Sequence, residues 1–295
     1  DTSLTAIQKI LAILRTRTGH NFSHYKKSTI LRRIERRMSI HQVADAAAYL
    51  QVIQEHPAEI QVLFKELLIR VTSFFRDPEA FETLAKKMLP DLIEKKPETD
   101  TIRVWVPGCG TGEEAYSIAI LLLECMQEAK SNFKVQIFGT DIDEDSIAQA
   151  RTGLYPANIS LDVSAQRLKR YFVREETGFR IRSEIREWMV FAVQNVISDA
   201  PFTKLDLVSC RNLMIYLDLE LQSKIIPMFH YSLRPGGVLL LGSSETVGTF
   251  GDLFSTLDRK WKIFRRTEAT STYHAGVFTG FGGGGAGAVR AADAA

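Results

Sequence analysis

The sequence predicts an α/β protein: a parallel, doubly wound, Rossmann-like sheet, preceded by an all-helical domain and interrupted by a small antiparallel β subdomain. Three observations carry this. Val104 to Tyr116 reads as strand, glycine turn and helix start, with Gly108, Gly110 and Gly112 allowing a tight turn and close approach to a ligand. A second β-prone run, Gln136 to Asp143, ends in acid. From Thr101 onward strand-like and helix-like stretches alternate, whereas residues 1–88 carry only helical periodicity.

In the helical domain, residues 1–88, Leu4, Ile7, Leu11 and Leu14 recur at helical spacing, and Gly19 closes that helix. A second helix is expected over roughly 23–38. Its apolar residues Ile30, Leu31, Ile34 and Met38 fall on one side, and Lys26, Arg32, Arg33, Arg36 and Arg37 are assigned to the other. Five cations with one acid, Glu35, make either a solvated face or a surface for an acidic partner. Two more helices are expected near 45–55 and 57–69. In the next stretch Thr72 or Ser73 opens a turn, and Asp77 caps a helix over 78–88 with Pro78 at its first position. Arg76, beside two aromatics, reads most plainly as a surface arginine packing its stem.

The sheet domain is assigned to 89–268, with polar residues 95–101 leading into it. Strands are expected at 102–106, 135–139, 189–193, 205–209 and 238–241, with a last one near 261–265. Between 154 and 187 the rhythm breaks. Two alternating runs, 170–174 and 178–182, joined by a turn at Glu175-Glu176-Thr177-Gly178, make a hairpin in an inserted subdomain. Residues 269–295 are Gly/Ala-rich and are expected to be a flexible tail.

Length allows a sizeable core. The formal net charge of +2 gives no global signal for nucleic acid. Three cysteines, Cys109, Cys125 and Cys210, lack metal-ligand spacing, so no metal is expected and a reducing, cytoplasmic setting fits best. No apolar run is long enough to span a membrane, so no direct membrane insertion is expected.

The glycine spacing is G-x-G-x-G, and an acidic pair, Glu113-Glu114, follows at once. That pair repels a pyrophosphate and suits a ligand carrying an ammonium group, as S-adenosylmethionine (SAM) does. Asp141, at the tip of the second strand, is assigned to a ribose and Asp143 to capping the next helix; the alternative is that either merely caps. The fourth strand runs into Cys210-Arg211-Asn212 and then Tyr216, so Arg211, Asn212 and Tyr216 fall near any cofactor. A core aromatic is the plainer reading of Tyr216. Cys210 lacks the Pro-Cys pair of a cytosine-methylating nucleophile, and the Asn-Pro-Pro-Tyr type motif of amino-group methyltransferases is absent.

Thr-Ser-Phe-Phe-Arg-Asp, Gly-Cys-Gly-Thr-Gly-Glu-Glu-Ala-Tyr-Ser, Thr-Asp-Ile-Asp, Cys-Arg-Asn-Leu-Met-Ile-Tyr and Leu-Arg-Pro-Gly-Gly, in that order, resemble the chemotaxis receptor methyltransferases, the CheR family. The resemblance covers about residues 3–268. It implies a class I SAM-dependent fold and a protein-glutamate O-methyltransferase acting on the cytoplasmic helices of methyl-accepting chemotaxis receptors, with S-adenosylhomocysteine (SAH) as product. It implies SAM contacts from Thr72, Arg76, Gly108, Gly110, Gly112, Glu113, Glu114, Asp141, Asn195, Val196, Arg211 and Asn212, and places Arg76 and Tyr216 near the transferred methyl. Many members have Asn where this chain has Arg70, two residues before Thr72. The motif wording is closest to CheR domains fused in larger bacterial signalling proteins, which suits a chain beginning at Asp1 without Met. Arg32, Arg33, Arg36 and Arg37 are the expected receptor contacts. Some members tether to a receptor's C-terminal pentapeptide through a longer, glycine-rich hairpin turn; the short acidic turn here predicts a pentapeptide-independent enzyme, although the strand at 179–182 is expected to offer an open edge. The competing readings are a SAM-binding sensor that no longer catalyses, and an RNA methyltransferase using the basic helix.

Overall fold

The computed structural model describes residues 2–68 and 71–270; Arg70 and the expected tail from 271 onward lie outside the described residues. Apolar spacing builds the first four helices. Helix α1 (Thr2–Thr18) buries Ala6, Ile10 and Leu14, and ends at Gly19, whose φ of +76° and N–H bond to the Arg15 carbonyl make the expected cap. Helix α2 (Lys27–Ile40) buries Ile30 and Ile34. Helix α3 (Ala46–Glu55) is capped by Asp45, which accepts the Ala48 N–H at 2.9 Å, and α4 (Glu59–Leu67) closes the bundle with Ile60, Leu63 and Leu67. These helices share one core that also holds Phe22 and Tyr49.

Three expectations about α2 change. It starts at Lys27, because Phe22 to Tyr25 instead form a turn, and Leu31 is exposed. Arg37 also leaves the basic face. It follows Ile30 by seven residues, just under two turns, and so points to the buried side. There it donates to both Glu59 oxygens at 2.7 and 2.8 Å, while the Tyr49 hydroxyl donates to the same carboxylate at 2.7 Å and His41 Nε2 lies 3.0 Å away. Burial lifts the Glu59 pKa, but hydrogen bonds from Arg37, Tyr49 and His41 outweigh it and hold the carboxyl below its ordinary value.

The helix expected over 78–88 is broken. Helix α5 (Pro78–Thr83) passes through a π-helical turn (Leu84–Met88) into α6 (Leu89–Lys95). Phe74, Phe81, Leu84 and Ile93 pack into the core of the sheet and not that of the bundle, so the change of core falls between Leu67 and Phe74 instead of at 88. Asp77 gives no side-chain cap; its backbone is left-handed and its carboxylate turns to Arg211.

The sheet follows the predicted alternation: β1 (Thr101–Pro107), α7 (Glu113–Glu128), β2 (Lys134–Asp141) and α8 (Glu144–Thr152). The inserted subdomain comes next, with β3 (Leu154–Pro156), α9 (Ala165–Tyr171), β4 (Phe172–Glu175), β5 (Gly178–Ile181) and α10 (Ser183–Arg186). The chain then returns through β6 (Met189–Val193), β7 (Leu205–Cys210), α11 (Leu219–Ser232), β8 (Leu233–Leu241), β9 (Phe254–Asp258) and β10 (Ile263–Arg266). The order is β6-β2-β1-β7-β8-β10-β9. The first five strands run parallel and the last two are antiparallel, with β9 an addition to the expected set. Strand β7 is buried along its whole length, as a central strand covered on both faces must be.

The inserted sheet has three strands, ordered β3-β5-β4, where a hairpin was expected. Tyr155 pairs with Phe179 on one side of β5 and Arg174 with Phe179 on the other. The strand at 179–182 is therefore central, and strand addition there is closed off because its backbone groups are already paired.

Candidate active site

The C-terminal ends of the parallel strands meet the helical domain at one cleft. At the end of β1 the chain makes a turn in which Gly108, Gly110 and Gly112 all have positive φ, at +68°, +55° and +96°. Gly110 opens towards the cleft, where a side chain would meet only Thr72, at 3.5 Å. Gly112 is packed from beneath: a Cβ there would lie 3.0 to 3.2 Å from Ala150, Tyr155 and Phe191. Both require glycine, but only the first does so on the ligand side.

Asp141 fixes this turn. One carboxylate oxygen accepts the Gly110 N–H at 2.9 Å and the other accepts the Asp143 N–H at 2.9 Å. Burial pushes its pKa up, and these backbone donors oppose the shift. Asp143 stands at the α8 N-cap position without a backbone side-chain cap and accepts the Ser146 hydroxyl instead. The acidic pair splits, since neighbouring helix residues point about 100° apart. Glu114 lines the cleft, accepting from the Ser209 hydroxyl at 2.7 Å and from Arg211 at 3.4 Å. Glu113 turns away and binds the Thr111 hydroxyl, so it and Gly112 are not brought to the cleft. Burial raises the Glu114 pKa, opposed by Arg211 and Ser209.

Across the cleft, Thr72 and Arg76 come from the segment that joins the two cores. Arg76 donates to the Val71 carbonyl at 2.8 Å and keeps its other donors for the cleft. It is flanked by Phe75 and Asp77, both at left-handed φ, +50° and +58°. Such conformations in side-chain-bearing residues cost of order 1–2 kcal/mol and persist where neighbours hold them. The holder is Arg211, whose side chain is 1% exposed and which donates to the Arg76 carbonyl at 2.9 Å and to Asp77 at 2.6 Å, with its guanidinium over Phe81. Arg211 thus braces the Arg76 loop as well as lining the site. Asn212, also left-handed at φ +59°, and Asn195 and Val196 beyond β6 complete the expected set, with Tyr216 on the 3₁₀ turn Met214–Tyr216. Cys109 and Cys210 are buried thiols with pKa values pushed well up by burial, which disfavours the thiolate a nucleophile needs.

Several positions in or supporting the cleft escaped the sequence reading. Glu245 is buried and accepts from the N–H groups of Gly242, Asn212 and Ile215, holding the Arg211–Tyr216 loop. Ser146 and Gln194 line the Asp141 side, and Tyr25, from the helical domain, reaches the same cleft. Glu245 carried a weak signal, an acid just after the fifth strand; Tyr25 carried none, because only tertiary packing brings it there.

The cleft fits SAM on its own chemistry: a strand-tip carboxylate, Asp141, with both oxygens oriented by backbone N–H groups could accept from ribose hydroxyls, and a buried carboxylate, Glu114, could hold an ammonium. The glycine turn, the acid at the second strand tip and the strand order define a class I SAM-dependent methyltransferase, with SAM as methyl donor and SAH as product. Comparison with known proteins gives the family. The all-alpha domain of CheR methyltransferases matches residues 5–68, and the CheR methyltransferase SAM-binding domain matches residues 70–263. The chain belongs to the CheR methyltransferase family. It is 40% identical over 260 residues to an uncharacterised 104.1 kDa protein of Rhodobacter capsulatus, covering 88% of this chain but only 27% of that protein. It is 31% identical over 250 residues to the chemotaxis protein methyltransferase of Borreliella burgdorferi, covering 82% of this chain and 88% of that one. It is 30% identical over 271 residues to the chemotaxis protein methyltransferase of Escherichia coli, covering 88% of each.

The split of the acidic pair makes a prediction. Glu114→Gln is expected to weaken SAH binding about tenfold or more, the worth of a charge-assisted hydrogen bond. Glu113→Gln, facing away from the cleft, should leave the dissociation constant unchanged. Calorimetry on both variants checks this; equal losses would mean that both carboxylates reach the ligand.

Proposed function

We propose that this chain methylates glutamate side chains of methyl-accepting chemotaxis receptors, giving methyl esters. The observation that supports this most is Arg76. The cleft is rich in carboxylates, with Glu114, Asp141 and Asp143 along its wall, and Arg211 is consumed by Asp77 and Glu114. Arg76 is the cation in the described lining that is partly exposed with donors to spare, the remaining Arg211 donor being buried, and a guanidinium fork suits an incoming carboxylate.

SAM supplies a methyl group on a sulfonium, open to in-line displacement. A glutamate carboxylate, with an ordinary pKa of about 4.3, is already ionised at neutral pH, so the chain has no general base to provide. Its residues provide alignment and exclude water. Arg76 orients the substrate carboxylate, and Tyr216 offers its hydroxyl or ring beside it. Arg211 and Glu245 keep those two residues at their places. The receptor's acidic helices are met by Arg32, Arg33 and Arg36 on α2. Arg32 is exposed, and Arg36 is 60% exposed with a loose 3.6 Å contact to Glu66. Arg37, committed to Glu59, is not part of that surface. The closed β5 strand and the short Glu175–Gly178 turn favour pentapeptide-independent docking. A cytoplasmic setting and a place within a larger signalling protein belong to the same reading. Among the described residues no helix is long and apolar enough to cross a membrane.

Incubation with radiolabelled SAM and receptor cytoplasmic fragments should give base-labile label on glutamate. Removing the receptor's last five residues should not change the rate. Arg32→Glu combined with Arg36→Glu should raise the KM for receptor about tenfold by reversing the local charge while SAH affinity stays constant. SAH binding without any transfer would identify a sensor domain instead.

A further inference from the structure

We propose that Tyr25, carried by the helical domain, is part of the cofactor site and supplies a hydrogen-bond donor on its nucleoside side. This rests on the SAM reading of the cleft and adds to it a residue from outside the matched SAM-binding domain. Tyr25 lines the cleft with Asp141, Asp143, Ser146 and Gln194. Its ring is held from behind by Phe22 at a centroid distance of 4.8 Å, and it packs against both the helical core and the core beneath β7 and α11. Its backbone is fastened as well. Tyr25 forms an antiparallel bridge with Leu217, the Lys26 N–H donates to the Tyr216 carbonyl at 2.8 Å, and the Asp218 N–H donates to the His24 carbonyl at 2.9 Å. The residue is therefore rigidly placed by the two backbone hydrogen bonds of that bridge and a tilted ring contact.

Among the described residues the hydroxyl has no hydrogen-bond partner, although the ring is mostly buried and Asp141 is near enough to raise the phenol pKa further after burial has done so. A phenol O–H ordinarily finds a partner when its ring is buried. A donor left open to a cleft, beside a carboxylate that is already fixed by two N–H groups, is suited to an acceptor on a bound nucleoside. Because the adjoining Lys26 N–H holds the Tyr216 carbonyl, binding at the nucleoside end and the position of the methyl-transfer end are tied through one short segment of the helical domain.

The test uses the full chain and two probes, SAH and 5′-methylthioadenosine, which keeps the nucleoside but lacks the amino-acid part. Tyr25→Phe keeps the tilted ring contact with Phe22 and removes only the hydroxyl. It should raise the dissociation constant by about threefold to tenfold, the range for one net hydrogen bond, and by the same factor for both probes. The melting temperature of the ligand-free variant should match that of the parent. Unchanged affinity for SAH overturns the proposal, as does a loss confined to SAH, which would place the contact at the amino-acid end. A matching fall in ligand-free melting temperature also overturns it, since the effect would then be packing. If the unmodified protein bound neither probe, the SAM reading itself would fail, which is a separate outcome.

Discussion

Asp141→Ala should weaken SAH binding by about a hundredfold or more, because it removes a charged acceptor and leaves buried donors unsatisfied, each worth roughly 1–3 kcal/mol. Two effects combine. The carboxylate is the candidate ribose acceptor at the tip of β2. It also holds the Gly110 and Asp143 N–H groups, so its loss frees the glycine turn from the strand beside it. Asp141→Asn should be milder, since the amide oxygen can keep one of those bonds. Calorimetric titration of SAH separates the variants. The ribose assignment would be wrong if Asp141→Ala kept the parent dissociation constant. The raised Asp141 and Glu114 pKa values add a pH dependence. Protonation of either carboxyl in the ligand-free protein competes with ligand binding, so affinity should begin to fall at a higher pH than ordinary carboxylates would give, and it should fall as pH decreases.

The second large effect concerns stability. Glu59→Ala should destabilise the protein by about 3–5 kcal/mol, the usual result of removing one partner from a buried ion pair. Glu59 is 6% exposed and collects Arg37, the Tyr49 hydroxyl and His41, so its removal strands all three. The sign with pH follows from the lowered Glu59 pKa. The carboxylate's contribution is complete above the unfolded-state pKa, about 4.3. It is lost as pH falls through the lower folded value. Urea unfolding of the Glu59→Ala and Arg37→Ala variants beside the parent, near pH 7 and again at a pH well below the ordinary carboxylate value, measures both statements. Arg37→Ala should behave as a stability variant. A raised receptor KM at unchanged stability would return Arg37 to the docking face.

That arginine shows where reading the sequence stopped short. The seven-residue interval from Ile30 to Arg37 already put it on the apolar side of α2, but a cation there has meaning only once a buried acid is known to face it. Glu59 comes from α4, twenty-two residues further along the chain. The acidic pair makes the same point more sharply. Two adjacent acids at a helix start announce a cation site, yet successive residues diverge by about 100°, and only the packing of α7 on the sheet chooses Glu114 over Glu113.

The amino-acid sequence by itself determined the alternation of strands and helices, the glycine turn, the acid at the second strand tip and the loop that follows the fourth strand, because each is a local demand of backbone geometry or ligand charge. It also placed Arg76 and Tyr216 at the cleft, through the family motifs. Tertiary structure alone decided what depends on contacts between distant segments. It paired Leu154–Pro156 with β5 and so closed the strand that had looked like an edge. It set Arg211 against Asp77 across 134 residues, which turns an expected helix cap into a brace for Arg76. And it delivered Tyr25 from the helical domain to the Asp141 side of the cleft, since a side chain on one domain can enter a site on another only after both cores have packed.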